Sequence, residues 1–257
     1  MFPEHVTKYG QDIDADAVTD ARSIPGFVGH VGDVLSNPAW LDMRFDAIVA
    51  NPPFSIEWEP IFDERFYEAP TIPTKSRADF AFLLHILWML APGGTAAVLQ
   101  FPGIAYRGGR ERKLREWMTS TNVVDQVISI PGNTFTDTSI ATICLVLKKN
   151  RMTETIRFVD SENGIERDVP LSEVNGNDCS WAVTQYVQPP APEVEHVDTW
   201  ELEKLARRKA CKDLSAQIKF SRAVAAIEGW PISQFLDDLE AIITTTRQEI
   251  DKDGYTV

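Results

Sequence analysis

Apolar positions along the first two-thirds of the chain alternate between short runs and longer stretches with helical spacing. This alternation predicts an α/β layered domain with a largely parallel sheet. Short candidate strands cover Lys8 to Ile13, Phe27 to Val31, Phe45 to Ala50, Thr95 to Gln100, Val123 to Ile130 and Ile140 to Lys148. Between them, Asp14 to Ser23 reads as a short helix and Arg110 to Ser120 as an amphipathic one, with Leu114, Trp117 and Met118 on one side. Ala78 to Leu90 is apolar at most positions and too long for a typical strand, so it predicts a buried helix, which Pro92-Gly93-Gly94 ends. The run FDAIVA, Phe45 to Ala50, is of the kind buried inside a parallel sheet. It stops at Asn51-Pro52-Pro53, because proline cannot continue a central strand.

Beyond Asn150 the pattern changes. Thr155 to Asp160 predicts one more strand and Ser161 to Gly164 a turn, while Pro189-Pro190-Ala191-Pro192 reads as a linker. Two helices are expected over Thr199 to Ile227 and Ile232 to Lys252, broken at Trp230-Pro231. The chain thus divides into an α/β domain over 1–160, an irregular segment and linker over 161–192, and a helical extension over 193–257. In the first helix Leu202, Leu205, Ala206, Leu214 and Ile218 recur at helical spacing beside a basic cluster, Arg207-Arg208-Lys209. Such a face either packs on its own domain or docks a partner.

Acidic residues outnumber basic ones by 38 to 25, a net charge of −13. A protein that grips nucleic acid unaided normally carries a basic face, so charge alone argues against that class of partner. Cys144, Cys179 and Cys211 are scattered, without the spacing of a disulfide framework or a zinc site, which fits reduced thiols in the cytoplasm. No apolar stretch reaches membrane-spanning length, and the N-terminus lacks the pattern of a signal peptide.

The sharpest chemical feature is Asn51-Pro52-Pro53-Phe54, directly after a buried strand. Ligands of open α/β sheets lie beyond the carboxyl ends of strands. An exocyclic aromatic amine is a poor nucleophile because its lone pair is delocalised into the ring. Two acceptors aimed at its N–H groups, the Asn51 side-chain oxygen and the Pro52 carbonyl, favour a tetrahedral nitrogen and free that pair. Consecutive prolines restrict the loop in advance, and Phe54 offers a face on which an extruded base stacks. No ionisable base is needed. Read alone, the tetrapeptide is equally a simple turn.

Its surroundings are more specific. FDAIVANPPF, Phe45 to Phe54, resembles the strand and catalytic loop of N6-adenine DNA methyltransferases, and other segments follow in the order of the modification subunits of type I restriction systems. Tyr9-Gly10-Gln11-Asp12-Ile13 is similar to their acidic second-strand motif and Gly32-Asp33-Val34-Leu35 to the next one. Lys75 to Phe82, Leu90-Ala91-Pro92-Gly93-Gly94, Tyr106-Arg107-Gly108-Gly109, Leu114-Arg115-Glu116-Trp117, Pro131-Gly132-Asn133-Thr134-Phe135 and Thr138-Ser139-Ile140 complete the series. The resemblance spans about residues 8 to 160. It implies a Rossmann-like methyltransferase sheet with S-adenosylmethionine as donor. By the same resemblance Asp12 hydrogen-bonds the cofactor ribose, Asp14 being a second candidate, and Asp33 the adenine amino group; Asn51 to Phe54 form the catalytic loop. A solvated aspartate at a strand end is the alternative for Asp12 and Asp33. Asp79 reads as an N-terminal helix charge, outside the catalytic set.

One part of the pattern is missing. The family's central first strand and its glycine-rich loop, which wraps the methionine part of the cofactor, should precede Tyr9, yet the first glycine is Gly10. The sheet is therefore expected to be incomplete at its N-terminal side, leaving two blocks with exposed apolar edges. The implied partners are DNA, the specificity and restriction subunits of a type I system, and a separate chain supplying the missing half. A truncated, inactive remnant is the main alternative; a protein-glutamine or RNA methyltransferase is the lesser one.

Overall fold

The computed structural model describes residues 6–132, 134, 140–189, 199–228 and 233–252. Two strands open the chain, β1 (Lys8–Asp12) and β2 (Phe27–Val31), paired in parallel through α1 (Ala15–Ala21). Gly10 lies so close to Phe27 that an added Cβ would sit 2.6 Å from its ring, and this small sheet has only two strands.

The larger sheet begins with β3 (Phe45–Ala50), followed by α2 (Asp79–Met89), β4 (Leu90–Gln100), α3 (Arg110–Ser120), β5 (Val124–Ile130), β6 (Thr142–Lys148), β7 (Thr155–Asp160) and β8 (Ile165–Pro170). Its strand order is β3-β4-β6-β5-β7-β8. β3 runs parallel to β4 and β5 parallel to β7, whereas β6 is antiparallel to both β4 and β5, and β8 to β7. The sheet is thus mixed rather than largely parallel. Tight connections such as the turn between β7 and β8 enforce antiparallel pairing, since a parallel return needs a crossover.

β4 starts earlier than its sequence suggests. Leu90 already pairs with Phe45 and the next pair is Ala47 with Thr95, so Pro92-Gly93-Gly94 forms an excursion inside the strand. Gly93 takes φ +78°, and a Cβ on Gly94 would meet the Phe45 carbonyl at 2.9 Å.

α2 is the hub of the core. Nine of its eleven residues are buried, as expected of a helix apolar on every side. The segment after β8, expected to be irregular, is instead folded onto the same core by two short helices, α4 (Leu171–Gly176) and α5 (Val183–Tyr186). Trp181, fully buried, lies 6.3 Å from Phe80 and donates its indole N–H to Thr119 Oγ1 at 3.1 Å, while Tyr186 stacks on Phe158 at 4.1 Å. One compact unit therefore runs Met1–Pro189, and the expected boundary at residue 160 is replaced by one near Pro189. Helices this short carry too few turns for a periodic signal, so the sequence reads them as irregular.

No strand among the described residues joins β1 to β3. Apolar side chains are left in solvent along the two blocks, Val49 at 74% and Ile13 at 74% exposure. Side chains hold the blocks together instead. The Tyr9 ring lies 5.5 Å from that of Phe45 and 5.2 Å from that of Trp40. Buried Arg65 donates to the carbonyls of Val34 at 3.0 Å and Leu35 at 2.6 Å, just beyond β2, and pairs with Asp63 at 2.6 Å. Its remaining N–H reaches His85 Nδ1 on α2 at 3.2 Å.

Residues 190–257 form a second unit, in which α6 (Thr199–Glu228) and α7 (Ser233–Lys252) form a helical hairpin. Arg222 bridges to Asp237 and to Glu240, the latter at 2.8 Å, and Cys211, Ile218, Leu236 and Ile250 are its buried residues. The expected break at Trp230-Pro231 lies outside the described residues, as do 190–192 of the expected linker. Among the described residues, no helix is long and apolar enough to cross a membrane.

His85 carries a consequence for acid stability. Burial, reinforced by the Arg65 guanidinium, pushes its pKa down from 6.5 to about 4. The unfolded chain therefore takes up a proton near pH 6.5 that the folded chain refuses until about pH 4. Stability should be full above pH 6.5 and fall by on the order of 3 kcal/mol between there and pH 4. Urea unfolding at pH 7, 5.5 and 4 checks this against His85→Gln, which does not titrate. Equal pH slopes for the two proteins would contradict the assignment.

Candidate active site

The carboxyl end of β3 leads into Asn51-Pro52-Pro53-Phe54, with Asn51 and Pro53 exposed and Pro52 and Phe54 half-buried. Proline fixes two successive φ angles here. The next residue, Ser55, adopts φ +51°, a left-handed conformation that side chains beyond glycine and asparagine rarely take. The surroundings over-determine that conformation. Ser55 N donates to Asp79 Oδ1 at 2.7 Å and its hydroxyl to Asp79 Oδ2 at 3.2 Å. Further along, Trp58 N donates to the Lys75 carbonyl at 3.0 Å, its indole N–H to Thr74 O at 2.9 Å, and Ala78 N to Ile56 O at 2.8 Å. Residues 55–58 are thereby zipped onto the strand-like stretch that precedes α2.

Asp79 is 1% exposed and occupies the first position of α2, yet its carboxylate makes no cap to that helix. Its other partner is Arg107, whose Nη1 lies 3.1 Å from Asp79 Oδ2 and whose Nη2 donates to Ser55 Oγ at 3.2 Å. The guanidinium also sits 5.3 Å above the Phe101 ring and 3.7 Å from Glu111 Oε2, and Arg77 approaches Glu111 Oε1 at 3.5 Å. Behind this layer, buried Arg115 donates to the carbonyls of Arg107 at 2.7 Å, Ile104 at 3.1 Å and Cys179 at 3.2 Å. Acid and base thus alternate beneath the loop, and no buried charge stands alone in the cluster. Reading Asp79 as a helix-terminus charge missed this role, because its partners lie 24 and 28 residues away in sequence.

A second group of carboxylates lies at the ends of β1 and β2. Asp12 Oδ1 accepts from Asp14 N at 2.9 Å. Asp14 is the N-cap of α1, its Oδ1 accepting from Asp16 N at 2.9 Å and Ala17 N at 3.4 Å. Asp33 Oδ1 takes Leu35 N at 2.8 Å and Oδ2 takes Ser36 Oγ at 2.8 Å, closing its own turn. Gln11 stitches the two strand ends together, donating to the carbonyls of Gly32 at 3.1 Å and Asn37 at 2.8 Å and accepting from Ala39 N at 2.8 Å. Among the described residues, no hydrogen bond reaches Asp12 Oδ2. The same holds for Asp14 Oδ2, so each of these two acids has one oxygen engaged locally and one open. Asn133, Phe135 and Thr138-Ser139 lie outside the described residues.

The family model for N-6 DNA Methylase matches residues 21–188. The chain belongs to the N-6 DNA methylase family. It is similar to the MpnII methylase subunit of a type I restriction enzyme from Mycoplasma pneumoniae, 46% identical over 131 residues, or 48% of this chain and 24% of that protein. The HindI methylase subunit from Haemophilus influenzae is 29% identical over 160 residues, covering 60% of this chain and 36% of the relative. Among solved structures, the methyltransferase subunit of the type I restriction-modification system from Streptococcus thermophilus superposes with a TM-score of 0.67 at 26% identity, over 72% of this chain and 49% of that one. The chain thus spans about a quarter to a third of the length of these curated relatives, and the methylase-family match covers the α/β unit from the last residue of α1, leaving out β1.

Gly103 provides a check on the packing under the loop. A Cβ there would lie 2.7–2.8 Å from the Arg107 guanidinium, which Asp79 and Ser55 pin in place. Gly103→Ala should cost roughly 1–3 kcal/mol. A thermal midpoint equal to that of the parent protein would show that Arg107 has room to move.

Proposed function

We propose that this chain is a component of a DNA adenine-N6 methyltransferase, the modification subunit of a type I restriction-modification system. The observation that carries the reading is the rigid Asn51-Pro52-Pro53-Phe54 loop at the carboxyl end of β3 in a chain of the N-6 DNA methylase family. In this reading the Asn51 side-chain oxygen and the Pro52 carbonyl accept hydrogen bonds from the N6 amine of an adenine turned out of the duplex. Two acceptors on one nitrogen pull it towards tetrahedral geometry, and its lone pair becomes available for attack. Phe54 stacks against the extruded base. The prolines hold the acceptors in position before the base arrives, so little reorganisation is needed at the moment of reaction. The proton released from the amine passes to solvent after transfer.

S-adenosylmethionine, when bound, supplies the methyl group. The fit of this chain to that cofactor is confined to its adenosine half. Asp12, with its spare oxygen, suits the ribose hydroxyls, and Asp33 suits the adenine amino group. Asp14, whose Oδ2 is likewise open beside the capping Oδ1, is the second candidate for the ribose. A loop for the methionine part is not among the described residues, and the unjoined sheets favour its delivery, with a central strand, by polypeptide outside residues 1–257. Such polypeptide is a separate chain or an adjoining segment. The acidic balance fits a division of labour in which a specificity subunit grips the DNA and a restriction subunit joins the assembly. The α6–α7 hairpin, with Leu202, Leu205 and Leu214 exposed, is the docking candidate for those subunits. The compartment is the cytoplasm, where DNA and reduced thiols coexist.

Transfer of labelled methyl from S-adenosylmethionine to adenine in DNA tests the reading, with the chain alone and then with the products of neighbouring genes. Transfer abolished by Asn51→Ala is the expected result. No transfer in either condition would replace the reading with an inactive remnant, and label on glutamine or RNA would change the substrate. Deleting residues beyond Pro189 should abolish co-purification with the specificity subunit. Unchanged co-purification would remove the hairpin as the dock.

A further inference from the structure

We infer that the buried Asp79–Arg107 ion pair positions the Asn51–Phe54 loop, acting through Ser55; the inference rests on reading that loop as the site of transfer. The loop has two ends. β3 fixes the upstream one by its ladder with β4, where Ala50 pairs with Val98. The downstream end has no ladder, because two prolines remove the donors and Ser55 turns left-handed. At the residue next to the loop the hold is a single carboxylate that accepts from Ser55 N, Ser55 Oγ and Arg107 Nη1 at once, and the backbone bonds of Ile56 and Trp58 follow only beyond it.

Four features separate this arrangement from ordinary core packing. Asp79 begins a helix yet leaves that helix uncapped and directs its carboxylate at the loop. Arg107 closes the triangle by donating to both Asp79 and Ser55, so the serine is held from two sides. Arg107 is itself fixed through its backbone, its N–H on the Gly103 carbonyl at 3.0 Å and its carbonyl under Arg115 at 2.7 Å. The pair is also desolvated, at 1% and 19% side-chain exposure, so its geometry is held with little competition from water. A shift at Asp79 passes through one residue to Phe54 and the prolines. Asp79 and Arg107 are positioning residues: they touch Ser55, next to the loop, and not the reacting atoms.

The test combines amide hydrogen exchange on the full chain with methyl-transfer kinetics in the assembly that supports transfer. Asp79→Asn preserves shape but presents an N–H where Ser55 Oγ and Arg107 need an acceptor. It should speed exchange at the Ser55 amide about tenfold or more and leave peptides from β5 and β7 unchanged. With it, kcat should fall by roughly 10–100-fold while KM for S-adenosylmethionine stays within about twofold. Arg107→Lys keeps the charge but loses the fork, and should give the same pattern at smaller amplitude. Exchange at Ser55 equal to the parent's in a folded Asp79→Asn protein would overturn the inference. So would acceleration spread evenly over all peptides in both variants, which marks a general loss of stability. Should the parent itself transfer no methyl group, the functional reading fails, and the exchange comparison still decides whether the pair holds the loop.

Discussion

A charge buried in an apolar core is tolerable only when its donors and acceptors find partners, and this constraint organises the α/β unit. Arg65, Asp79 and Arg115 each lie almost wholly out of water. Arg65 satisfies itself on Asp63, His85 and two carbonyls beyond β2, and so ties the small sheet to α2. Asp79 satisfies itself on Ser55 and Arg107, and so ties the loop after β3 to the same helix. Arg115 takes the carbonyls of Ile104, Arg107 and Cys179, joining α3 to the segment before it and to the stretch that follows α4. Two of these three anchors meet on α2, whose other faces are apolar. Hydrophobic burial places that helix, and the paired charges determine which loops are attached to it.

The same division explains what could be read from the residues alone. β2, β3, α3 and β7 fall at their expected bounds, because each is a clear period-2 or period-3.6 stretch closed by proline, glycine or a polar turn. The loop after β3 was legible for the same reason. What escaped was non-local. Nothing near Asp79 announces a serine 24 residues before it or an arginine 28 residues after it. Arg65 and His85 looked like unremarkable members of polar and apolar stretches. The short helices α4 and α5 carry too little pattern to be told from coil, yet Trp181 and Tyr186 close the core from that segment. Asp12 and Asp14 are not distinguished by their contacts either, since each engages one carboxylate oxygen in a local turn or cap.

The second organising fact is how the two sheets meet. Among the described residues no strand pairs β1 or β2 with β3, and the blocks are joined by ring contacts around Tyr9 and the fork of Arg65. These preserve the sequence order of the methylase motifs within one compact unit, and the match to the N-6 DNA methylase family runs through it from residue 21 to residue 188. The base of the candidate site is thus assembled by long-range polar contacts, independent of backbone pairing between the two sheets.

Among the described residues β3 ends the larger sheet with one edge unpaired, and this has a kinetic consequence as well. An open strand edge does not discriminate: its N–H and C=O groups accept any extended chain that comes within reach. Extended segments of other copies therefore compete for the same row of hydrogen bonds, and the soluble yield of this protein should fall as its concentration rises.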